Sequence, residues 1–428
     1  MKKIRFCDII NKIGKAKLKQ NQEKKRVVIL GGGFAGVSAS LALSEYIGDN
    51  PEYEIVLIDR HDYHLYHAAL YEAATTEHRQ IAARKVKKTV TIPLGDIFRK
   101  RSVKVFKAFV EKVDLGNGQI MTDSRVVYFD YLLIALGSIA DFYGIPGLDK
   151  YGFTLKSLED AVMIRNRIED IISKKDSGQI IIGGGGFAGV EFAGELRNLI
   201  KHECKAHGKK PENFKIMIVE GAINYLPGLS EKVSKLVAAR LAGLGIEGRF
   251  STLLTHAEKD FLTLNNKEQV ACDLLIWTGG VRSCRLPVLE DLERDKKDRT
   301  AATEFLNLKK FPNVFVAGDD ACILDPQTKK PLPQTAQEAI HQGRHAAKNI
   351  YRLVQGRPLL PYHSGPVRFV IPVSGKYAIL YTPNLIIHGL FGWLIRKTAD
   401  LRYFLSVLPF FTALRYWLFE NEIFMKND

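Results

Sequence analysis

The heptapeptide Gly31-Gly32-Gly33-Phe34-Ala35-Gly36-Val37 recurs letter for letter as Gly184-Gly185-Gly186-Phe187-Ala188-Gly189-Val190. Each copy follows an apolar, β-branched run, Val27-Val28-Ile29-Leu30 in the first and Ile180-Ile181-Ile182 in the second. Each precedes a helix-forming stretch, residues 38–44 and 191–199. Strand, glycine loop and helix in that order form the context of a dinucleotide fingerprint. Gly31 and Gly184 allow the tight turn out of the strand, Gly33 and Gly186 let backbone approach a pyrophosphate, and Gly36 and Gly189 let the helix pack closely. The helix N-terminus then offers free N–H groups and the positive end of its dipole to the phosphates.

Such a unit needs an acid at the end of its second strand to hold the adenosine ribose. Glu54-Ile55-Val56-Leu57-Ile58-Asp59 supplies Asp59, 23 residues beyond Gly36. Lys215-Ile216-Met217-Ile218-Val219-Glu220 supplies Glu220, 31 residues beyond Gly189, the extra length being assigned to a polar insertion at 201–213. One fingerprint is weak evidence; two, each with strand, helix and carboxylate, predict an α/β chain with two Rossmann-like units. Glu220 has no adjacent arginine and repels a 2′-phosphate, which favours NADH over NADPH. Two further strands with glycine turns belong to the first unit. They are Tyr131-Leu132-Leu133-Ile134-Ala135-Leu136-Gly137-Ser138 and Asn313-Val314-Phe315-Val316-Ala317-Gly318-Asp319, whose Gly-Asp pair suits a polyhydroxylated flavin side chain.

The formal charge of +15 implies an anionic partner. No zinc spacing or RNA-binding signature accompanies it, so a nucleic acid is not expected. Residues 1–26 carry ten Lys/Arg against Asp8 and Glu23, with Phe6, Ile9, Ile10 and Ile13 on one helical face. This segment reads equally as a basic amphipathic helix or as a charged disordered tail. The apolar runs 384–395 and 403–414 are each too short to span a bilayer. Trp393, Trp417 and basic residues beside them suit an anchor on an anionic membrane surface, with a homodimer interface or core helices as the alternative. No cleavable signal peptide is expected. Cys7, Cys204, Cys272, Cys284 and Cys322 are scattered, and residues 26–203 contain none, which disfavours the disulfide chemistry of related flavin enzymes.

With these motifs in place, the chain resembles the type II NADH dehydrogenases, the non-proton-pumping, FAD-containing NADH:quinone oxidoreductases. The resemblance runs from Arg26 to about Asn349, through Tyr143-Gly144-Ile145-Pro146-Gly147 and Leu155-Lys156-Ser157-Leu158-Glu159-Asp160-Ala161. Its most specific stretch is Thr335 to Gly343, which matches the family's quinone-site pattern Ala-Gln-x-Ala-x-Gln at Ala336, Gln337 and Ala339. The resemblance implies hydride transfer from NADH to the flavin, then two electrons to a quinone at the cytoplasmic face of a membrane. It implies FAD contacts at Gly31, Gly33, Phe34, Ala35, Gly36, Asp59, Ala135, Gly137, Gly318, Asp319, Ala336 and Gln337. NADH contacts fall at Gly184, Gly186, Phe187, Ala188, Gly189, Glu191, Glu220 and Gly279. Glu191 and Gln337 are the expected catalytic residues, with His341; Gln337, Ile340 and His341 face the quinone. No metal is expected.

The sequence departs from the family at three places. His341 stands for the second glutamine, Tyr66-His67-Ala68-Ala69 for a stretch that usually holds a proline, and Thr75-Thr76 for a glycine. A different acceptor, of sulfide:quinone or soluble-carrier type, or an NADH-binding signalling role, stays open on the residues alone. The expected layout is 1–25 basic segment, 26–150 and 286–355 the two parts of the FAD unit, 151–285 the NADH unit, and 356–428 a membrane-associating helical region.

Overall fold

A computed structural model describes residues 24–48, 50–77, 83–366 and 368–425, so residues 1–23 of the basic N-terminal segment lie outside it. Two five-stranded parallel sheets carry the fold. In the first, the strand order is Val314–Val316, Tyr131–Ile134, Lys25–Leu30, Tyr53–Asp59 and Val103–Lys107. In the second it is Gly152–Thr154, Leu274–Trp277, Gly178–Gly183, Phe214–Val219 and Ile246–Arg249. Each glycine-loop strand is central, and Val27 to Leu30 are fully buried, as unbroken apolar runs in parallel sheets must be. The register is the same in both: Gly31 N–H donates to Ile58 O and Gly184 N–H to Val219 O, each at 2.8 Å.

The two sheets are joined by two crossovers of the chain. Their middle segments, Ser138–Ala140 and Val281–Ser283, pair antiparallel as a two-stranded ribbon. Each unit also carries a three-stranded antiparallel meander, Val110–Asp114 to Val126–Tyr128 and Leu254–Ala257 to Glu268–Ala271.

Three expectations change. The glycine-loop helices are longer, Phe34–Ile47 and Phe187–His207. The second absorbs most of the polar insertion, because Glu203 and Cys204 bury one face while Lys201 and Lys205 stay in solvent, until Gly208 at φ +66° ends it. The C-terminal region is not simply helical. A three-stranded antiparallel sheet, Phe369–Pro372, Ala378–Thr382 and Leu385–Gly389, precedes helices Leu390–Val407 and Phe410–Phe424. Ile386 and Ile387 pair with Tyr381 and Leu380, and Gly389 at φ +79° turns the chain into the helix, so the run 384–395 is half strand. Pro409 cannot continue a helix and splits the second run. No helix among the described residues is long and apolar enough to cross a membrane.

Candidate active site

The glycines of each loop fall into two physical classes. Gly31 sits at φ +102°, and a Cβ there would lie 2.2 Å from Ala135 O; one on Gly36 would lie 1.8 Å from Gly31 O. Gly184 at φ +110° and Gly189, whose Cβ would lie 2.0 Å from Gly184 O, repeat this. The fold itself therefore demands these four. Gly33 and Gly186 are different. Their φ angles of −77° and −74° are open to any residue, and a Cβ would meet no protein atom within 4 Å. Nothing in the protein demands glycine there, and a pyrophosphate fits the chemistry of the helix N-terminus in front of each.

The acids close each loop in the same way. Asp59 accepts from Gly32 N–H at 2.6 Å and from His61 N–H at 2.7 Å. Glu220 accepts from Gly185 N–H at 2.6 Å and from Ala222 N–H at 2.8 Å. Each oxygen keeps a lone pair for a ribose hydroxyl. Arg249, on the strand beside Glu220, spends its guanidinium on Glu247 and Glu268 at 3.0 and 2.6 Å.

At the far side of the first sheet, the Gly137 and Gly318 turns meet. Gly318 N–H donates to Gln342 Oε1 at 2.8 Å, and Ser138 Oγ donates to Asp319 at 2.5 Å while accepting from Lys156 Nζ at 3.0 Å. Asp320 is buried and binds Gly137 N–H at 2.8 Å. The motifs do not single out Lys156, Asp320 or Gln342 as site residues, although Lys156 and Gln342 lie within quoted stretches and Asp320 follows one. The helix Ala336–Val354 packs on Phe34–Ile47 through Gly343, whose Cβ would lie 2.2 Å from Ala35 O. That contact brings Ala336, Gly318 and the first loop together. Gln337, Ile340 and His341 occupy the half-buried face of the helix, and Glu338 and Gln342 its buried face. Glu338 is fixed by Tyr362 at 2.6 Å and Ser364 at 2.8 Å. Gln337 reaches Pro366 O at 3.4 Å, and the His341 ring lies against Gly365.

The helix Leu390–Val407 closes this region from above, through a network that no local pattern announces. Tyr66 donates to Asp400 at 2.5 Å, Arg396 pairs with Asp400 at 3.1 Å, and Arg396 also donates to Ala68 O at 2.9 Å. The segment that departs from the family pattern is thus the seat of the C-terminal helix. His64, fully buried, bridges Gly32 O at 2.9 Å and Tyr403 at 2.7 Å. Burial pushes its imidazole down to about 4, so the neutral ring donates from Nδ1 and accepts at Nε2. Glu191 lies beside this network. Burial pushes its carboxyl up to about 8, with Arg396 pulling down and Glu72 and Asp400 adding to the rise. Thr75 and Thr76, the third departure, turn their hydroxyls onto Tyr71 O and Glu72 O.

The four described cysteines are unpaired. Cys322 is joined near the turns by Cys284, whose N–H binds Gly137 O at 3.0 Å, a proximity only the fold reveals. Burial raises both thiols, the reverse of what a redox-active pair requires. Glu169, Glu203 and His207 place ligand atoms within 4.8 Å of one another, and the buried Arg165 acts on both carboxylates electrostatically.

Residues 25–343 match the model of the family described as pyridine nucleotide-disulphide oxidoreductase. A type II NADH:quinone oxidoreductase from Staphylococcus saprophyticus is 32% identical over 348 residues, covering 79% of this chain and 84% of that protein. One from Staphylococcus aureus is 32% identical over 346 residues, covering 78% and 84%. The chain belongs to the type II NADH:quinone oxidoreductases. The fold of this type II oxidoreductase is shared with an NDH2 from Plasmodium falciparum solved with NADH, at TM-score 0.81 and 18% identity over 93% and 97% of the two chains. It is shared also with the sulfide:quinone oxidoreductase of Aquifex aeolicus, at TM-score 0.74 and 18% identity over 89% and 90%.

Proposed function

We propose that the chain oxidises NADH and reduces a membrane quinone, with FAD in the first cradle and NADH in the second. The observation that carries this reading is the pair of open positions at Gly33 and Gly186, each in front of a helix N-terminus and beside a strand-end carboxylate. When bound, FAD supplies the two-electron chemistry that links the nucleotide to the quinone. Residues 26–150 with 286–355 form the FAD unit and 151–285 the NADH unit. Gly31, Gly36, Ala35 and Phe34 shape the FAD cradle; Asp59 holds the ribose; Ala135, Gly137, Gly318, Asp319 and Ala336 line the flavin side. Gly184, Phe187, Ala188, Gly189, Glu220 and Gly279 do the same for NADH.

Glu220 sets nucleotide choice, so wild type should favour NADH over NADPH in kcat/KM. Glu220→Gln should narrow that preference about tenfold, as the loss of one repulsive charge worth about 1–2 kcal/mol implies. An unchanged ratio would remove Glu220 from this role.

Glu191 and His341 handle protons, and Gln337, Ile340 and His341 face the quinone. A carboxyl that titrates near 8 holds a proton at neutral pH and can deliver it as electrons arrive. The stability that Glu191 contributes is full below its ordinary value near 4.5 and is lost as pH rises through about 8. Glu191→Gln should flatten that part of the stability profile and of the quinone half-reaction profile. Identical profiles would contradict the assignment. His341→Ala should leave flavin reduction by NADH near normal and slow reoxidation by quinone, read by stopped-flow; slowing of the NADH step alone would refute its role.

The C-terminal region, 356–428, seats the protein on an anionic membrane surface, at the cytoplasmic face. Phe391 and Phe411 are 71% and 83% exposed; Leu390 and Phe410 beside them in sequence are also exposed, as is Leu418. The helix Ala83–Val90, with Lys85, Lys87 and Lys88 in solvent, packs against Phe410–Phe424. Apolar side chains flanked by a basic helix suit an interfacial anchor. Replacing Phe410 and Phe411 by Ser should weaken binding to anionic vesicles about tenfold or more, since each buried aromatic contributes about 1.5–3 kcal/mol. Unchanged sedimentation with vesicles would assign this face to a homodimer instead.

A further inference from the structure

We propose that Asp320 is a positioning residue that clamps both interdomain crossovers and so fixes where the nicotinamide unit sits over the flavin. The proposal rests on the two-cofactor reading above, but its first readout does not.

The chain passes between the two sheets twice, and the two passages touch in the ribbon where Ser138 pairs with Ser283, Ile139 with Arg282 and Ala140 with Val281. At the NADH end, the ribbon is closed by Asp141 N–H on Gly280 O at 3.0 Å and by Trp277 Nε1 on Asp141 O at 2.7 Å. Three residues per strand make a ribbon that is marginal by itself. Its FAD end is held by Asp320. This side chain is 2% exposed and divides its two oxygens between the passages: Gly137 N–H donates to Oδ2 at 2.8 Å, and Ser283 Oγ to Oδ1 at 2.6 Å. Cys284 N–H on Gly137 O, at 3.0 Å, completes the junction. The turn that bears Asp320 is itself fixed, since Gly318 N–H is bound by Gln342 of the helix Ala336–Val354. One carboxylate thus ties the outgoing passage, the returning passage and the flavin-side turn together.

Such a burial has a cost, and the carboxyl is pushed up to about 7. A buried acid with each oxygen on a different crossover acts on geometry. Hydride transfer is steeply sensitive to approach, and a misplacement of about 1 Å can cost about a hundredfold in rate. Asp320 makes its bonds within the protein and moves no proton in this scheme. The amide of Asn has the same shape, can accept from Gly137 N–H and can donate to Ser283 Oγ.

The test compares Asp320→Ala, Asp320→Asn and Ser283→Ala as full-length, FAD-loaded proteins. Hydrogen exchange of peptides covering 138–140 and 281–283 is read without NADH, and the two half-reactions by stopped-flow. Asp320→Ala should raise exchange in both strands and slow flavin reduction at saturating NADH about tenfold or more. Reoxidation by a soluble quinone should stay within about twofold of wild type. Asp320→Asn should restore both readouts, and Ser283→Ala should fall between. Unchanged exchange in Asp320→Ala, equal slowing of both half-reactions, or an Asn variant as impaired as the Ala variant would overturn the proposal. If Asp320→Ala does not retain FAD, Ser283→Ala decides, and wild-type exchange and reduction rate in that protein overturn it. A wild type that NADH does not reduce would contradict the functional reading instead, leaving the exchange result to judge the clamp.

Discussion

Gly33→Val protein should purify folded and almost free of FAD. Its φ of −77° suits valine, and no protein atom lies within 4 Å of the added Cβ, so the chain has no reason to misfold. The branched side chain instead occupies the space through which a pyrophosphate reaches the N–H groups of the helix Phe34–Ile47. Overpacking costs about 1–3 kcal/mol in a protein core, often more against an unyielding ligand, which is about ten- to hundredfold or greater loss of affinity. The ratio of flavin to protein absorbance reports it directly. Gly36→Val is the contrasting case, because its Cβ would lie 1.8 Å from Gly31 O and the strand–helix packing itself must give way. A Gly33→Val protein with full flavin content would remove FAD from the first cradle.

Arg396→Met should destabilise the protein by about 3–5 kcal/mol, the usual effect of stranding the partner of a buried ion pair. Asp400 is 2% exposed and depends on Arg396 at 3.1 Å and on the Tyr66 hydroxyl. Without the guanidinium, the buried Asp400 faces Glu191 and Glu420 with Lys397 as the remaining cation, and Ala68 O loses its donor. The melting midpoint should fall by at least about 5 °C. Adding Asp400→Asn should recover part of the loss, since the stranded charge goes with it. Equal midpoints for wild type and Arg396→Met would show that the C-terminal helix is held by its apolar face alone.

These two sites differ in how far the sequence announces them. Glycine loops are local: Gly31, Gly36, Gly184 and Gly189 follow from backbone geometry within one strand–helix unit, so their spacing is readable. Asp59 and Glu220 are readable for the same reason, one strand later. The seat of the C-terminal helix is not local. Tyr66 and Asp400 are 334 residues apart, and His64 and Tyr403 are 339 apart, so only the folded chain shows that each polar group has a partner. Composition misleads where strand and helix share an alphabet. The apolar run 384–395 carries no periodicity that separates Leu385–Gly389 from the helix that follows; the break comes from pairing with Ala378–Thr382 and from Gly389. The stretch 201–207 misleads in the opposite way, because a polar sequence with one buried face is still helix. Asp319 and Asp320 look alike on the page. The fold separates them, giving Ser138 to the first and both crossovers to the second.

One protein passes electrons from NADH to a quinone through its flavin, and anaerobic stopped-flow on FAD-loaded protein tests this most directly. One equivalent of NADH should bleach the flavin, a soluble quinone added in a second mix should restore the absorbance, and further additions of NADH with excess quinone should repeat the cycle over many turnovers. Bleaching by NADH followed by a reduced flavin that no quinone reoxidises would contradict the account and leave a nucleotide-sensing flavoprotein in its place.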